Sequence, residues 1–395
     1  MRTHAITAVE IHVVSGPAPE PPSELDQTQV RPLHVYPEHR PDGPREMPRG
    51  GTATSRYLRI GTDGGAEGLY GPVDPEVCWT IGAMLAPFLL GQDALAGALT
   101  WDKLDRSDRH ARHGHLKMAI SAVDNALWDL RGRVFDAPVW QLLGGGARSR
   151  IPAYASTLGT SLEPDAVSQT ATLLAKEGFL GQKWFLAHGP AGGKDGLRAN
   201  VALAQQLRDV LGPEEDIMFD VFGGWDLPYA LSWTQRVADA LPTWLEEPFG
   251  ANRYHAFVEL SRRSPVPLAA GEHLYDRNDV VPYLTDSVIT TLQTDPEWCG
   301  GVTELVKICA LAETFSVPVI PHGHGLHAAL HVIASQSPAT CPKAEYLMRI
   351  MPGRHHFELS PPTPEGGSFA LPTGPGFGIE LDDSKIEKRS VLDRF

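Results

Sequence analysis

The 395-residue sequence predicts an α/β protein, a (β/α)8-type TIM barrel preceded by a smaller α+β domain. Three observations predict it. Asp220, Glu246 and Glu272 recur at intervals of 26 and 26 residues, each closing a short apolar run: Ile217–Asp220, Thr243–Glu246, Pro267–Glu272. Such runs read as buried parallel strands, and that interval has room for one strand, one helix and two short loops. From about residue 150 onward, strand-like runs alternate with helical stretches such as Ala199–Leu211 and Gly301–Thr314. Eight such runs occur, which suits a barrel at the short end of its size range.

Taken in order, residues 4–14 alternate like a strand. Residues 15–52 are rich in Pro, Gly and charge and read as a long loop, a candidate lid carrying His34, His39, Arg40, Arg45 and Arg49. Residues 54–62 alternate again and turn at Asp63-Gly64-Gly65, and 75–143 read as helices, so the opening part is α+β. The eight barrel strands are expected at Ile151–Ser156, Gln182–Leu186, Ile217–Phe222, Trp244–Pro248, Leu268–His273, Thr291–Asp295, Val317–His322 and Tyr346–Ile350. The tail from 352 is again rich in Pro and Gly and is expected to pack back on the first domain. The domain limits are therefore 1–148, 149–351 and 352–395.

Composition narrows the partners. A formal charge of −14 disfavours nucleic acid and anionic membranes, while a small acid can still bind where a local cation outweighs the global field. No apolar run is long enough for a membrane span, and the first residues lack a signal-peptide core. Cys78, Cys299, Cys309 and Cys341 show no metal-like spacing and read as reduced, buried thiols of a cytoplasmic protein.

In a parallel barrel the strand ends meet on one face, where active sites lie. Three carboxylates converging there repel one another unless a cation sits between them. Hard oxygen ligands predict a hard cation, Mg²⁺ first. Two later strand ends add Asp295 and His322, a pairing in which the carboxylate fixes the imidazole tautomer and stabilises its protonated form. A metal with a nearby imidazole base suits removal of a proton α to a carboxylate.

Residues 119–144, AISAVDNALWDLRGRVFDAPVWQLLG, together with the ordered acids and the spacings Glu272 to Asp295 (23) and Asp295 to His322 (27), carry a resemblance. The chain resembles the mandelate racemase/muconate lactonizing branch of the enolase superfamily over nearly its whole length. The resemblance implies Mg²⁺ dependence, a capping domain built from both termini over the barrel mouth, and a homo-oligomer, from dimer to octamer. Mandelate racemases carry Lys-x-Lys on the second barrel strand, the second lysine being a base. Here the segment is Lys183-Trp184-Phe185, which argues against two-base racemisation. Lys183-Trp184-Phe185, Gly271-Glu272-His273, Trp298-Cys299-Gly300-Gly301, Pro321-His322-Gly323 and Ala344-Glu345-Tyr346-Leu347-Met348 look like the rhamnonate dehydratase subgroup of acid-sugar dehydratases. That subgroup has an early-loop Asp-His-Ile-Ala-Thr-Pro segment where this chain has Asp26-Gln27-Thr28-Gln29-Val30-Arg31-Pro32, with His34 off register. A related aldonic acid is therefore the expected substrate.

The expected roles follow. Asp220, Glu246 and Glu272 hold Mg²⁺. Lys183 meets the substrate carboxylate, and His322, poised by Asp295, is base, acid for the departing 3-hydroxyl, or both. His273 and Glu345 are further acid–base or hydroxyl-binding groups, and His34 and Trp298 contact substrate. Glu247 is expected to point away from Glu246 and support the site. Asp226 is read as a helix cap, His188 as solvent-facing and Arg112–His115 as capping-domain surface. The alternatives are an epimerase or racemase using His273, and an inert sugar-acid-binding homologue.

Overall fold

A computed structural model describes residues 4–20, 29–40 and 50–392. Four strands form an antiparallel sheet in the order β12-β1-β2-β3: β1 Ile6–Pro17, β2 Thr52–Thr62, β3 Glu67–Tyr70 and β12 Lys388–Val391. The last of these comes from the tail and pairs His12 with Val391 on β1. The helices Gly97–Ser107 and His115–Val134 follow. The second is free of proline, rich in Ala and Leu, and places Arg131 and Arg133 in its last turn, where cations suit the helix dipole.

A curled parallel sheet runs β10-β4-β5-β6-β7-β8-β9: β4 Arg150–Ser156, β5 Gln182–Phe185, β6 Ile217–Asp220, β7 Trp244–Glu246, β8 Leu268–Ala270, β9 Thr291–Leu292 and β10 Ala344–Leu347. β10 pairs with β4, bringing the eighth position beside the first. The tail strand β11 Ser368–Ala370 adds antiparallel to β4, so the tail joins both sheets.

Two expected strands differ. Val317–His322 forms no ladder and touches β9 through one bridge, Leu292 to Val319. Pro318 and Pro321 lack the N–H groups that a ladder needs. The last strand begins at Ala344, two residues before the expected Tyr346, so Glu345 lies within it. The acid-bearing strands are also shorter than expected, for one local reason. Each is followed by a residue in the left-handed region: Phe222 (φ 50), Glu247 (φ 36) and Gly271 (φ 144). The chain turns there, which leaves Asp220 and Glu246 as the last residues of their strands. A Cβ on Gly271 would sit 2.6 Å from the Gln293 nitrogen, so that turn admits only glycine.

Inside the barrel Tyr154, Met218, Trp244, Ala269 and Ile320 form an apolar floor. The helix His115–Val134 crosses the barrel rim with polar groups facing inward. Ser121 Oγ accepts from the Gly300 N–H (2.8 Å), Asn125 Oδ1 from Val302 (3.0 Å) and Asp124 from the Thr303 N–H (2.8 Å) and Oγ1 (2.6 Å). These bonds fix the 295–303 segment from above. Gly301 (φ 84) is required there, because a Cβ would lie 2.4 Å from Asp124 Oδ2.

Candidate active site

Lys183 on β5 is fully buried and points at three acids from three other strands. Its Nζ contacts Glu246 Oε1, lies 2.8 Å from Glu345 Oε1 and 3.4 Å from Asp220 Oδ2. Phe185, two residues on and so on the same face, places its ring centroid 5.5 Å from that ammonium. Glu246 Oε2 accepts from Trp244 Nε1 (3.0 Å) and Gln293 Nε2 (2.7 Å). Glu345 Oε2 accepts the Gly323 N–H at 2.9 Å, which ties β10 to the residue after His322.

On the other flank His322 Nδ1 lies 2.9 Å from Asp295 Oδ2. Asp295 is fully buried and also accepts the Gly325 N–H (3.1 Å) and the Glu297 N–H (2.7 Å), so both oxygens are committed. His322 Nε2 faces Glu272 Oε2 at 3.3 Å. Glu272 Oε1 is 3.3 Å from His273 Nδ1, and the same nitrogen is 2.6 Å from Glu247 Oε2. Trp298 fills the space between the imidazoles, its ring centroid 5.0 Å from His322 and 5.7 Å from His273.

The electrostatics follow from burial. Burial, with the Lys183 charge opposing it and the charges of Asp220 and Glu345 adding to it, pushes Glu246 up to about 8. Burial likewise raises Glu272 to about 7 and raises Asp220. Burial opposes charge on Glu345 too, but Lys183 and His322 outweigh it and hold that acid at about 2. For His322 burial is outweighed by Glu272 and Asp295, which lift it to about 10. For His273 burial is outweighed chiefly by Glu247, giving about 9.

Six buried carboxylates (Asp220, Glu246, Glu247, Glu272, Asp295, Glu345) thus face one lysine and two imidazoles. With all six ionised, negative charge would be in excess by three units even with both imidazoles protonated, and burial raises Asp220, Glu246 and Glu272 against that excess. A hard divalent cation fits that donor set. Asp220 and Glu246 are register partners on adjacent strands. Glu272 stands two residues past β8 and is turned toward the imidazoles. Among the described residues, the groups of three whose ligand atoms lie within 4.8 Å of one another are Glu247–Glu272–His273, Asp295–Glu297–His324 and His327–His355–Glu358. Asp220, Glu246 and Glu272 are not such a group, because their ligand atoms do not all lie within 4.8 Å of one another.

The structure brings together Lys183, Asp220, Glu246, Glu272, His273, Asp295, Trp298, His322 and Glu345. It does not bring His34 to them. His34 sits in the turn Pro32–Val35, lining a cavity of about 510 Å³ with Arg31, Arg40 and His188, and its Nδ1 accepts the Arg31 N–H at 3.3 Å. Burial and the Arg31 charge lower its pKa. The Asp26-Gln27-Thr28 segment, Arg45 and Arg49 lie outside the described residues. Glu247 does turn from Glu246, and its carboxylate accepts from the Gly271 N–H at 3.3 Å as well as facing His273. Asp226 caps the following helix through the Tyr229 N–H at 2.9 Å. His188 is exposed, as expected, beside Gly192 and Gly196, and it lines the same cavity as His34. His113 reaches the barrel rim, its Nε2 3.0 Å from Asp279.

Sequence reasoning missed Gln293, Glu297, His324 and Arg354. Arg354 Nη2 is 2.8 Å from Glu297 Oε2, and Tyr70 donates to Glu297 Oε1 at 3.0 Å. A signal was present: Glu297 and His324 each follow a dyad residue by two positions.

No helix among the described residues is long and apolar enough to cross a membrane. The enolase C-terminal domain-like family matches residues 165–385, and the mandelate racemase/muconate lactonizing enzyme N-terminal domain matches 31–144. The chain is 36% identical over 319 residues to an L-rhamnonate dehydratase of Saccharopolyspora erythraea, covering 78% of each. A rhamnonate dehydratase from Gibberella zeae complexed with Mg superposes with a TM-score of 0.82 at 26% identity, over 98% of this chain and 96% of that one. A 3,6-anhydro-D-galactonate cycloisomerase from Zobellia galactanivorans superposes with a TM-score of 0.77 at 25% identity, over 97% and 100%. One scaffold thus carries different chemistries, and the site must decide between them. On both family matches and on its fold, the chain belongs to the mandelate racemase/muconate lactonizing family of the enolase superfamily.

Proposed function

We propose that this protein is a Mg²⁺-dependent dehydratase of an aldonic acid, converting it to a 2-keto-3-deoxy acid. The supporting observation is the one-sidedness of the site. The His322–Asp295 pair occupies one flank, and Phe185, which carries no proton, stands beside Lys183 on the second barrel strand. Racemisation by a lysine at the position of Phe185 has no group to use, whereas elimination needs acid–base groups on only one face. The rhamnonate dehydratase relatives point to the same reaction class.

Asp220, Glu246 and Glu272 are the ligands we assign to the ion. Bound there, Mg²⁺ would neutralise Glu272, free His322 Nε2 from it and polarise the substrate carboxylate. Lys183 and Glu345 hold that carboxylate end, Lys183 by charge and Glu345 by fixing Lys183 and the Gly323 turn. His322 takes the proton α to the carboxylate, and Asp295 keeps its imidazole in the tautomer with Nε2 free. His273, held protonated by Glu247, is placed to donate to a substrate hydroxyl, and Trp298 shapes the wall between the imidazoles. The loop holding His34 is assigned to substrate choice.

The test is a panel of aldonic and aldaric acids with Mg²⁺, read by 2-keto-3-deoxy product. Turnover is expected with at least one aldonate, abolished by a chelator and by His322→Asn. Full activity in His322→Asn would overturn the mechanism. The paired His273 and Glu247 support a second reading, an epimerase using two imidazoles. Deuterium entering C2 without elimination would select it. Ligand-induced stabilisation with neither turnover nor exchange would instead mark a binding homologue.

A further inference from the structure

The dyad is repeated. Asp295 pairs with His322, and two residues further along both segments Glu297 pairs with His324, whose Nδ1 lies 2.7 Å from Glu297 Oε2. The two imidazole rings are parallel, at 9° with centroids 6.3 Å apart, and both lie against Trp298, His324 at 5.2 Å. Glu297 is fixed from three sides. Arg354 Nη2 and the Tyr70 hydroxyl hold its carboxylate, and its N–H is bonded to Asp295 Oδ1. Burial is outweighed by Arg354 and His324, which keep Glu297 ionised at about 2. With Nδ1 beside that carboxylate, His324 offers Nε2. Asp74 Oδ2 lies 3.9 Å from it, too far for a hydrogen bond. The side chain is 18% exposed.

A carboxylate-held imidazole with a free nitrogen, one ring-stack away from the proposed base, is the arrangement needed to divide proton removal from proton delivery. We propose that His324, oriented by Glu297, is the acid that protonates the departing 3-hydroxyl, while His322 serves as base. This rests on the dehydratase reading. His322 Nε2 takes the C2 proton, and the C2–H electron pair becomes the C2–C3 double bond. The C3–O bond breaks, and its pair leaves with the hydroxyl, which takes the proton from His324 Nε2 and departs as water. The enol then loses its hydroxyl proton to solvent as His322 returns its proton to C3. His324 regains a proton from solvent, so protons and electrons balance. His324 is thereby a catalytic residue, and Glu297 a positioning residue.

The test compares wild type and His324→Asn on an active aldonate and on its 3-deoxy-3-fluoro analogue, whose fluoride leaves without protonation. His324→Asn should lose roughly 100-fold or more in water elimination, while fluoride release and C2 deuterium exchange stay near wild type. Unchanged dehydration in the variant overturns the proposal. Equal loss on both substrates also overturns it, because a merely structural role would impair both. If wild type turns over neither compound, the dehydratase reading itself falls, and this assignment with it.

Discussion

Asp295→Asn is the most informative single substitution at the dyad. The wild-type carboxylate accepts three hydrogen bonds: Oδ2 from His322 Nδ1 (2.9 Å) and the Gly325 N–H (3.1 Å), and Oδ1 from the Glu297 N–H (2.7 Å). An amide keeps only one acceptor oxygen. Whichever way it turns, its NH₂ meets a donor. Facing Glu297, it strands one buried N–H; facing His322, it strands the Gly325 N–H and forces the imidazole to present a lone pair. The first orientation loses fewer bonds and keeps the dyad contact, so the fold should lose about 1–3 kcal/mol, read as a lower urea midpoint. Activity should fall further than folding, by roughly 100- to 10,000-fold, because a neutral amide no longer stabilises the imidazolium formed when His322 takes a proton. Steady-state kcat on the active aldonate and C2 deuterium exchange should fall together. An Asp295→Asn protein with wild-type kcat refutes the dyad. A large loss of dehydration with exchange unchanged places Asp295 outside proton removal.

Three further outcomes are expected. Gly301→Ala combines a left-handed backbone with a Cβ 2.4 Å from Asp124, and should cost about 2–4 kcal/mol; an unchanged urea midpoint refutes the tight docking of the helix His115–Val134. Lys183→Met leaves Glu246, Glu345 and Asp220 without their buried cation and should cost about 3–5 kcal/mol at neutral pH, so equal stability would remove the lysine from the charge balance. His331 is buried, and burial lowers its pKa to about 3. Its folded pKa lies below the unfolded value of about 6.5, so its contribution is intact above that pH and lost as pH falls toward 3. Replacing it with Gln should flatten the stability profile in that window by up to about 1.4 kcal/mol per pH unit, and parallel profiles would refute it.

The strand ends that carry chemistry were legible because burial leaves a short apolar run and function leaves an acid at its end. Asp220, Glu246, Asp295 and His322 emerged from that pattern and Lys183 from the family resemblance, and all five meet in space. The seventh strand misled because Val317–His322 is apolar enough to read as a strand, while Pro318 and Pro321 remove its ladder donors. His34 misled because loop position depends on docking that no local pattern encodes. Val30 seats that loop on Leu186 through a 2.8 Å backbone bond, which turns His34 toward His188 rather than toward the acids. Glu297 and His324 escaped for a different reason. Neither ends an apolar run, and their partners Tyr70 and Arg354 come from sequence 227 residues before and 57 after Glu297.

The charge balance of the site joins these findings. Buried carboxylates are costly unless each has a partner, and here the partners divide the acids into three sets. Glu345 takes Lys183 and stays ionised at about 2. Glu297 takes Arg354 and His324, and is also held at about 2. Asp220, Glu246 and Glu272 are the set left short, and burial raises all three. Acids raised by burial at the ends of three consecutive strands fit a cation site. The imidazoles of His322 and His273 are paired with acids of their own, Asp295 and Glu247. That division supports a site in which one side binds a cation and a carboxylate while the other moves protons, and in which the second strand contributes charge through Lys183 but no second base.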